Sequence, residues 1–287
     1  FLSNTIGAEG MGIYELIFPI YGLCHAISVS PIQTAISKFT AEESRGNGCI
    51  NTRRTLHAGL FLSFSLSCFL AFLVWSGSDF IARHFLFESR CRSLLKIMAV
   101  SLPLSSIHSC ISGYYYGIKK AGIPSLSQLT EQIVRVSSVY LLITVAQTNQ
   151  LPITPIFAVY GLLLGEAASV LFSTLSICLT KNTDSKRATA IWPMQLKNIL
   201  FLAIPLSLNR LMLTFFQSIE SVSIPTSLRL YGMNRTTALE TYGVFTGMSM
   251  HFILFPAAIT NSLAVMLLPA VSEAQSQKNN NRISHMA

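Results

Sequence analysis

Five ionisable residues, Glu131, Arg135, Glu166, Arg210 and Glu220, stand inside long apolar runs of this chain. A charge at the centre of a bilayer costs roughly 2.5–3.5 kcal/mol on an insertion scale, whereas a Leu, Ile or Val returns only about 0.3–0.6. Such residues must therefore face other helices or a water-filled cavity. Glu131 and Arg135 are four apart, which puts them one turn from each other on one helical face. At about 100° per residue, Ser125, Gln128, Glu131, Gln132, Arg135 and Ser138 make a polar stripe about 140° wide. On a later run Arg210 and Gln217 nearly superpose, and Glu220 lies about 80° away and about 15 Å along the axis. With Asn209 and Ser221 they form a second polar surface. An arginine so placed can grip a phosphate or pyrophosphate with its planar fork. A glutamate can take up a proton, or neutralise the arginine while the cavity is empty. Two readings stay open: a polar transport cavity shared by both surfaces, or ion pairs that lock helices together. Glu166 follows Gly165, with Gly161 four residues earlier; the glycines admit a close neighbour, and Glu166 either pairs with Arg135 or Arg210 or acts in its own right.

Other chemistry is weakly represented. The six histidines, His25, His57, His84, His108, His251 and His285, lack HExxH or paired-ligand spacing, so they read as core or loop residues and no metal site is expected. His251, inside an apolar run, is the one worth testing. Cys24, Cys49, Cys68, Cys91, Cys110 and Cys178 form no CxxC pair and read as small buried hydrophobes. GAEGMG near the start is not GxGxxG and follows no strand. A membrane glycosyl or phosphoryl transferase would want loop aspartates with a metal. The sequence has only Asp79 and Asp184, so no catalytic residues are assigned, and the expectation is not an enzyme and no cofactor. Coupling to protons or sodium is left open.

The elements that must hold these residues are membrane helices. Of 287 residues, 51% are hydrophobic and 11% charged, against about 25% charged in a soluble domain. The first residues, with Gly7, Gly10 and Gly12, read as the tail of a helix and a tight reversal. Seven runs of spanning length follow, at about 13–37, 55–76, 95–117, 123–146, 154–179, 197–222 and 243–271. Pro19 and Pro31 interrupt the first, Trp75 anchors the second at an interface, and Pro205 and Pro225 offer bend points at the ends of the sixth. The chain starts with Phe inside an apolar run and stops without an end signal, which reads as a fragment lacking both ends.

The net charge of +8 is carried in short loops, where Lys and Arg set topology and touch anionic lipid rather than nucleic acid. One set of alternate loops holds Lys38, Arg45, Arg53, Arg54, Lys119, Lys120, Lys181, Lys186, Arg187, Lys197, Lys278 and Arg282. The other holds Arg83, Arg90, Arg92, Lys96, Arg229 and Arg235. The richer set is expected in the cytoplasm; the 83–96 loop fits that assignment least well. Phe18-Pro19 and Phe255-Pro256 open two similar segments, LIFPIYGLCHAISVSPIQTAIS and ILFPAAITNSLAVMLLPAVS, five spans apart, as a six-helix repeat would place them.

GAEGMGIYELIFPIY, TAISKFTAEE, GYYYGIKK…SQLTEQIVRV, IPLSLNRLM and ILFPAAITNSLAVMLLPAVSEAQ, in this order, resemble the stage V sporulation protein B family and its polysaccharide-export relatives. These belong to the multidrug/oligosaccharidyl-lipid/polysaccharide (MOP) superfamily, with the lipid II flippases and MATE exporters. The resemblance implies an all-α, polytopic, MATE-like bundle of two lobes around a central cavity. Residues 1–180 would be the first lobe without its first helix, and residues 181–287 the start of the second. It implies alternating-access movement of a lipid-linked oligosaccharide, or other anionic lipid, across the bacterial plasma membrane for spore cortex or cell-wall synthesis, with membrane lipids as the other partners and no obligate protein partner. On that resemblance Glu131, Arg135, Arg210 and Glu220 would line the cavity, and the reading of the two polar surfaces adds Gln128, Asn209 and Gln217 as cavity residues. His251 stands where relatives often have proline. A cation-coupled drug exporter and a non-transporting scaffold of spore assembly remain the alternatives.

Overall fold

The computed structural model describes residues 2–45, 52–179, 192–250 and 252–256, and among these it is helical with no strand. Helix α1 spans Leu2–Ser28, α2 Ser30–Arg45, α3 Thr52–Phe80, α4 Cys91–Gly117, α5 Gly122–Thr148, α6 Ile156–Leu179, α7 Trp192–Leu230 and α8 Arg235–Tyr242. Wider π-helical turns extend α3 over Ile81–Phe85 and α8 over Gly243–Ser249. Six segments are long and apolar enough to cross a bilayer: Asn4–Glu42, Thr52–Phe85, Cys91–Gly117, Gly122–Thr148, Ile156–Leu179 and Ile199–Leu230. They coincide with the first six expected spans. The seventh, with His251, falls largely outside the described residues. The chain is a multi-pass membrane protein.

The expected reversal at the start is confined to Gly7, whose φ of 74° is left-handed and breaks the helix there. Gly10 and Gly12 continue the helix. The first span divides at Val29, yet Val29 N–H still donates to His25 O and Gln33 N–H to Val29 O, both at 3.0 Å, so α1 and α2 remain one crossing. Pro205 and Pro225 lie inside α7 rather than at its ends, because α7 runs past the expected boundary on both sides.

Two apolar cores hold the bundle. One gathers Leu16, Ile17 and Ile20 of α1 with Leu94, Leu95, Met98 and Leu102 of α4 and Leu239 and Tyr242 of α8. The other gathers Ile32 and Ile36 of α2 with Leu56 of α3, Cys110 of α4 and Ile199 and Ala203 of α7. Between α5 and α6 the seam is polar and small. Ser127 Oγ lies 2.8 Å from both Ser169 Oγ and Ser173 Oγ. Gly161 and Gly165 accept the α5 backbone: a Cβ at Gly165 would stand 2.9 Å from Glu131 O and 3.1 Å from Arg135 Cβ. The close neighbour expected at this glycine pair is therefore α5, and the contact sets Glu166 one residue from the Glu131–Arg135 turn.

At the end of the bundle holding the 86–90 turn, the basic residues of that loop each meet a partner. Arg83 and Arg92 reach Asp79 at 3.2 and 3.3 Å, and Lys96 lies over the Trp75 ring at 5.7 Å. Arg90 bonds Glu9 at 2.8 Å and Glu88 at 2.9 Å. Arg235 of α8 donates from Nε to Glu88 Oε2 at 3.0 Å and from a terminal nitrogen to Phe87 O at 2.6 Å. One nearly buried carboxylate thus joins the α3–α4 turn to α8. Burial pushes the Glu88 carboxyl up, but hydrogen bonds and charge from Arg90, with the charge of Arg235, outweigh it and hold it below the usual carboxylate range.

Of the described cysteines, Cys24, Cys91 and Cys110 are buried and reduced, as expected, whereas Cys178 is exposed. It is the penultimate residue of α6.

Candidate functional site

The polar face that α5 turns inward is Ser127, Glu131, Arg135 and Ser138, not the full expected stripe. Gln128, Gln132 and Ser125 are exposed, and Ser125 Oγ spends its hydrogen bond on Ala121 O at 2.9 Å. Helical spacing alone does not say which side of a wide stripe meets the neighbour. The seam with α6 selects Ser127 and Glu131, 7% exposed.

Around Glu131 four elements converge. Arg135, one turn on, is ion-paired to Glu131. Glu166 of α6 is 6% exposed. Tyr21 of α1 donates its hydroxyl to Glu166 Oε1 at 3.3 Å. From α4, His108 presents Nδ1 at 3.9 Å from Glu166 Oε2. Neither His108 Nδ1 nor Glu166 Oε2 has a hydrogen-bond partner among the described residues, and the same holds for Arg135 Nε. Glu166 is hydrogen-bonded by Tyr21 and Ser105 and faces His108, with Arg135 acting on it only through space; of the two open readings, direct pairing with Arg135 is not the one seen, because that guanidinium is engaged by Glu131. One ligand atom each from His108, Glu131 and Glu166 lies within 4.8 Å of the others, so this trio has the spacing to hold a cation. Sequence spacing missed it because the three residues come from three helices.

The second polar surface is built differently. Asn209, Arg210, Gln217 and Glu220 are all exposed on α7. Gln217 and Glu220 line a cavity of about 570 Å³ with Glu15, Phe18 and Pro19 of α1, Tyr242 of α8, and Phe245 and Phe255 beyond it. Arg210 lies further along, within electrostatic reach of His25 on α1, while Arg135 acts on Tyr14 of the same helix. The described residues thus show two polar places rather than the single shared cavity expected. α7 packs on α1, α2, α3 and α8, while α5 packs mainly on α6, so the two surfaces have different neighbours.

A helical, multi-pass bundle that buries Glu131 and Glu166 between its helices is a membrane-protein fold. The fold is that of an inward-facing multidrug-resistance MATE transporter of the MOP superfamily, at a TM-score of 0.65 and 17% identity, over 99% of this chain and 64% of that one. The polysaccharide biosynthesis protein family matches residues 1–275, and the chain belongs to that family. It is 28% identical to stage V sporulation protein B of Bacillus subtilis, over 96% of this chain and 54% of that protein. It is 23% identical to sporulation protein YkvU of the same organism, over 95% of this chain and 60% of that protein. The chain therefore spans little more than half the length of these relatives. Its place is the plasma membrane.

Proposed function

We propose that the full-length protein is a flippase that moves a lipid-linked sugar, carried on an anionic phosphate or pyrophosphate, across the plasma membrane by alternating access. The observation that carries this reading is the pair of intramembrane arginines, Arg135 and Arg210, which both act on α1 in a chain matched to the polysaccharide biosynthesis family. Arg210 is exposed on α7 and available to a head group; Arg135 is held by Glu131 until a phosphate competes for it. Asn209, Gln217 and Gln128, exposed near these charges, supply neutral donors for sugar hydroxyls. In this reading residues 1–180 form one lobe, residues 181–287 begin the second, and the two rock about the α1–α7 contact. A role in spore cortex or cell-wall synthesis follows by analogy with the sporulation proteins it resembles.

In the full-length protein, Arg210→Ala should lower translocation of a lipid-linked precursor by about tenfold or more, since charge-assisted hydrogen bonds contribute about 1.5–3 kcal/mol each. Arg210→Lys should restore part of it. Undiminished translocation by Arg210→Ala in reconstituted vesicles would sink the assignment.

A second reading has one observation of its own. The cavity beside α7 pairs Glu15 and Glu220 with Phe18, Tyr242, Phe245 and Phe255, a lining suited to an amphiphilic cation. Under that reading Glu220→Gln, and not Arg210→Ala, would abolish efflux of a lipophilic cation from whole cells.

A further inference from the structure

We propose that the ends of α3 and α4 that meet at the 86–90 turn carry a binding site for the phosphodiester headgroup of an anionic phospholipid. Arg83, Arg92 and Lys96 hold the phosphate, and Phe72 and Trp75 face the acyl chains. Charge at this end of the bundle is unevenly matched. Glu9 and Glu88 take Arg90 and Arg235, two carboxylates for two arginines. Arg83 and Arg92 share one carboxylate, Asp79, at 3.2 and 3.3 Å. Lys96 meets the Trp75 ring rather than an acid. Three cations against one carboxylate leave a positive surplus on this face among the described residues. Both arginine side chains are more than half exposed, so water screens their pairs with Asp79. A phosphate oxygen can compete for those guanidinium donors.

Position selects a lipid over a soluble anion. The segment Thr52–Phe85 has 34 residues, which is about 50 Å of helix against about 30 Å of hydrocarbon. Its apolar run ends at Trp75, an interface residue, so Asp79 and Arg83 stand where headgroups lie. Phe72, Trp75 and Asp79 fall within about 60° of one another at about 100° per residue. Phe72, Trp75 and Phe80 are exposed, and Phe80 stacks on His84 at 4.7 Å. One helical stripe thus changes from rings to charges over about 10 Å, as a phospholipid changes from acyl chain to phosphate. From α4, Arg92 and Lys96, one turn apart, close the other wall on Asp79 and Trp75. A soluble polyanion would have no use for the exposed rings. The same partner gives a reason for the basic residues of the 83–96 loop, which fit the charge-based assignment of sides least well. The site does not depend on the proposed function.

The test uses the full-length protein in phosphatidylcholine vesicles doped with phosphatidylglycerol or phosphatidylcholine carrying brominated acyl chains. Bromine quenches a tryptophan that it touches, and the difference between the wild type and Trp75→Phe isolates the Trp75 signal. The relative affinity read from the quenching curves should favour phosphatidylglycerol by at least about fivefold, the factor that one uncompensated basic residue supplies near an anionic surface. Added salt should shrink the preference. Arg83→Gln with Arg92→Gln, which leaves Lys96 and Trp75 in place, should abolish it. Arg83→Lys with Arg92→Lys should keep part of it, which separates loss of the headgroup contact from loss of the fold. Lys119→Gln with Lys120→Gln, beyond the other end of α4, should leave it unchanged. Equal quenching by the two lipids in the wild type would overturn the site. So would a preference that survives Arg83→Gln with Arg92→Gln, or one lost equally in Lys119→Gln with Lys120→Gln. A Trp75 response to polyglutamate in plain phosphatidylcholine vesicles, without any lipid preference, would also overturn it and assign the face to a soluble acidic polymer.

Discussion

Replacing Gly243 with leucine should abolish folding of the bundle rather than tune its activity. A Cβ at Gly243 would meet Ala8 O and stand 2.6 Å from Gly12 N and 3.1 Å from Gly12 Cα. The reciprocal Cβ at Gly12 would meet Leu239 O, with Leu239 C at 3.0 Å. All of these are backbone atoms, so no rotamer change relieves the clash. The helices α1 and α8 would have to separate, and the separation would run into the core that Leu16, Leu239 and Tyr242 share with α4. Overpacking of a close-packed core costs about 1–3 kcal/mol where side chains can yield; here the cost should exceed about 3 kcal/mol, because side chains cannot. The monodisperse fraction after detergent extraction, read by size-exclusion chromatography, should fall at least about tenfold for Gly243→Leu. Gly247→Ala, whose nearest neighbour is the end of the Met11 side chain at 3.0 Å, should extract normally. Wild-type yield from Gly243→Leu would show that α1 and α8 do not meet in this way.

Glu88→Ala should release α8 from the α3–α4 turn. The carboxylate accepts from Arg90 Nε at 2.9 Å, from a second Arg90 nitrogen at 3.2 Å and from Arg235 Nε at 3.0 Å. Its side chain is only 3% exposed, but those of Arg90 and Arg235 are 47% and 45% exposed. Water can therefore resolvate the arginines, and the loss should be about 2–3 kcal/mol rather than that of a fully buried pair. A double charge swap, Glu88→Arg with Arg235→Glu, should recover part of it, while Glu88→Arg alone should be worst. Spin labels on the 86–90 turn and on α8 should show the distance widening in Glu88→Ala. An unchanged distance distribution would refute the role. The pH dependence has a definite sign. The Glu88 carboxyl is held low in the folded protein, so the contact is at full strength above the ordinary carboxylate pKa of about 4.3. It is lost as pH falls through the lower folded-state value, and no weakening is expected between neutral pH and about pH 5.

Much of the architecture was readable from composition and period. An apolar run of membrane length has one stable conformation in lipid, because each backbone polar group must be satisfied within the segment; six of the expected spans consequently coincide with helices. Glu131 and Arg135 were placed together by spacing alone, since one turn of helix fixes their separation wherever the helix sits. Gly161 and Gly165 announced a close contact, and the contact exists.

Three things were decided by tertiary structure. The partner accepted by Gly161 and Gly165 is α5, which turns Ser127 rather than Gln128 into the seam. Histidine spacing along the chain argued against a site, yet His108 meets Glu131 and Glu166 across three helices. The polar surfaces of α5 and α7 address α1 separately, although their similar composition suggested one cavity. The physical reason is common to all three. Backbone hydrogen bonding and transfer free energy are local properties, summed along a segment, so the sequence by itself determined that this protein crosses the membrane as helices and which residues cannot face lipid. Which helix each of those residues faces depends on how side chains interlock between segments far apart in the chain, and only the folded bundle decides that.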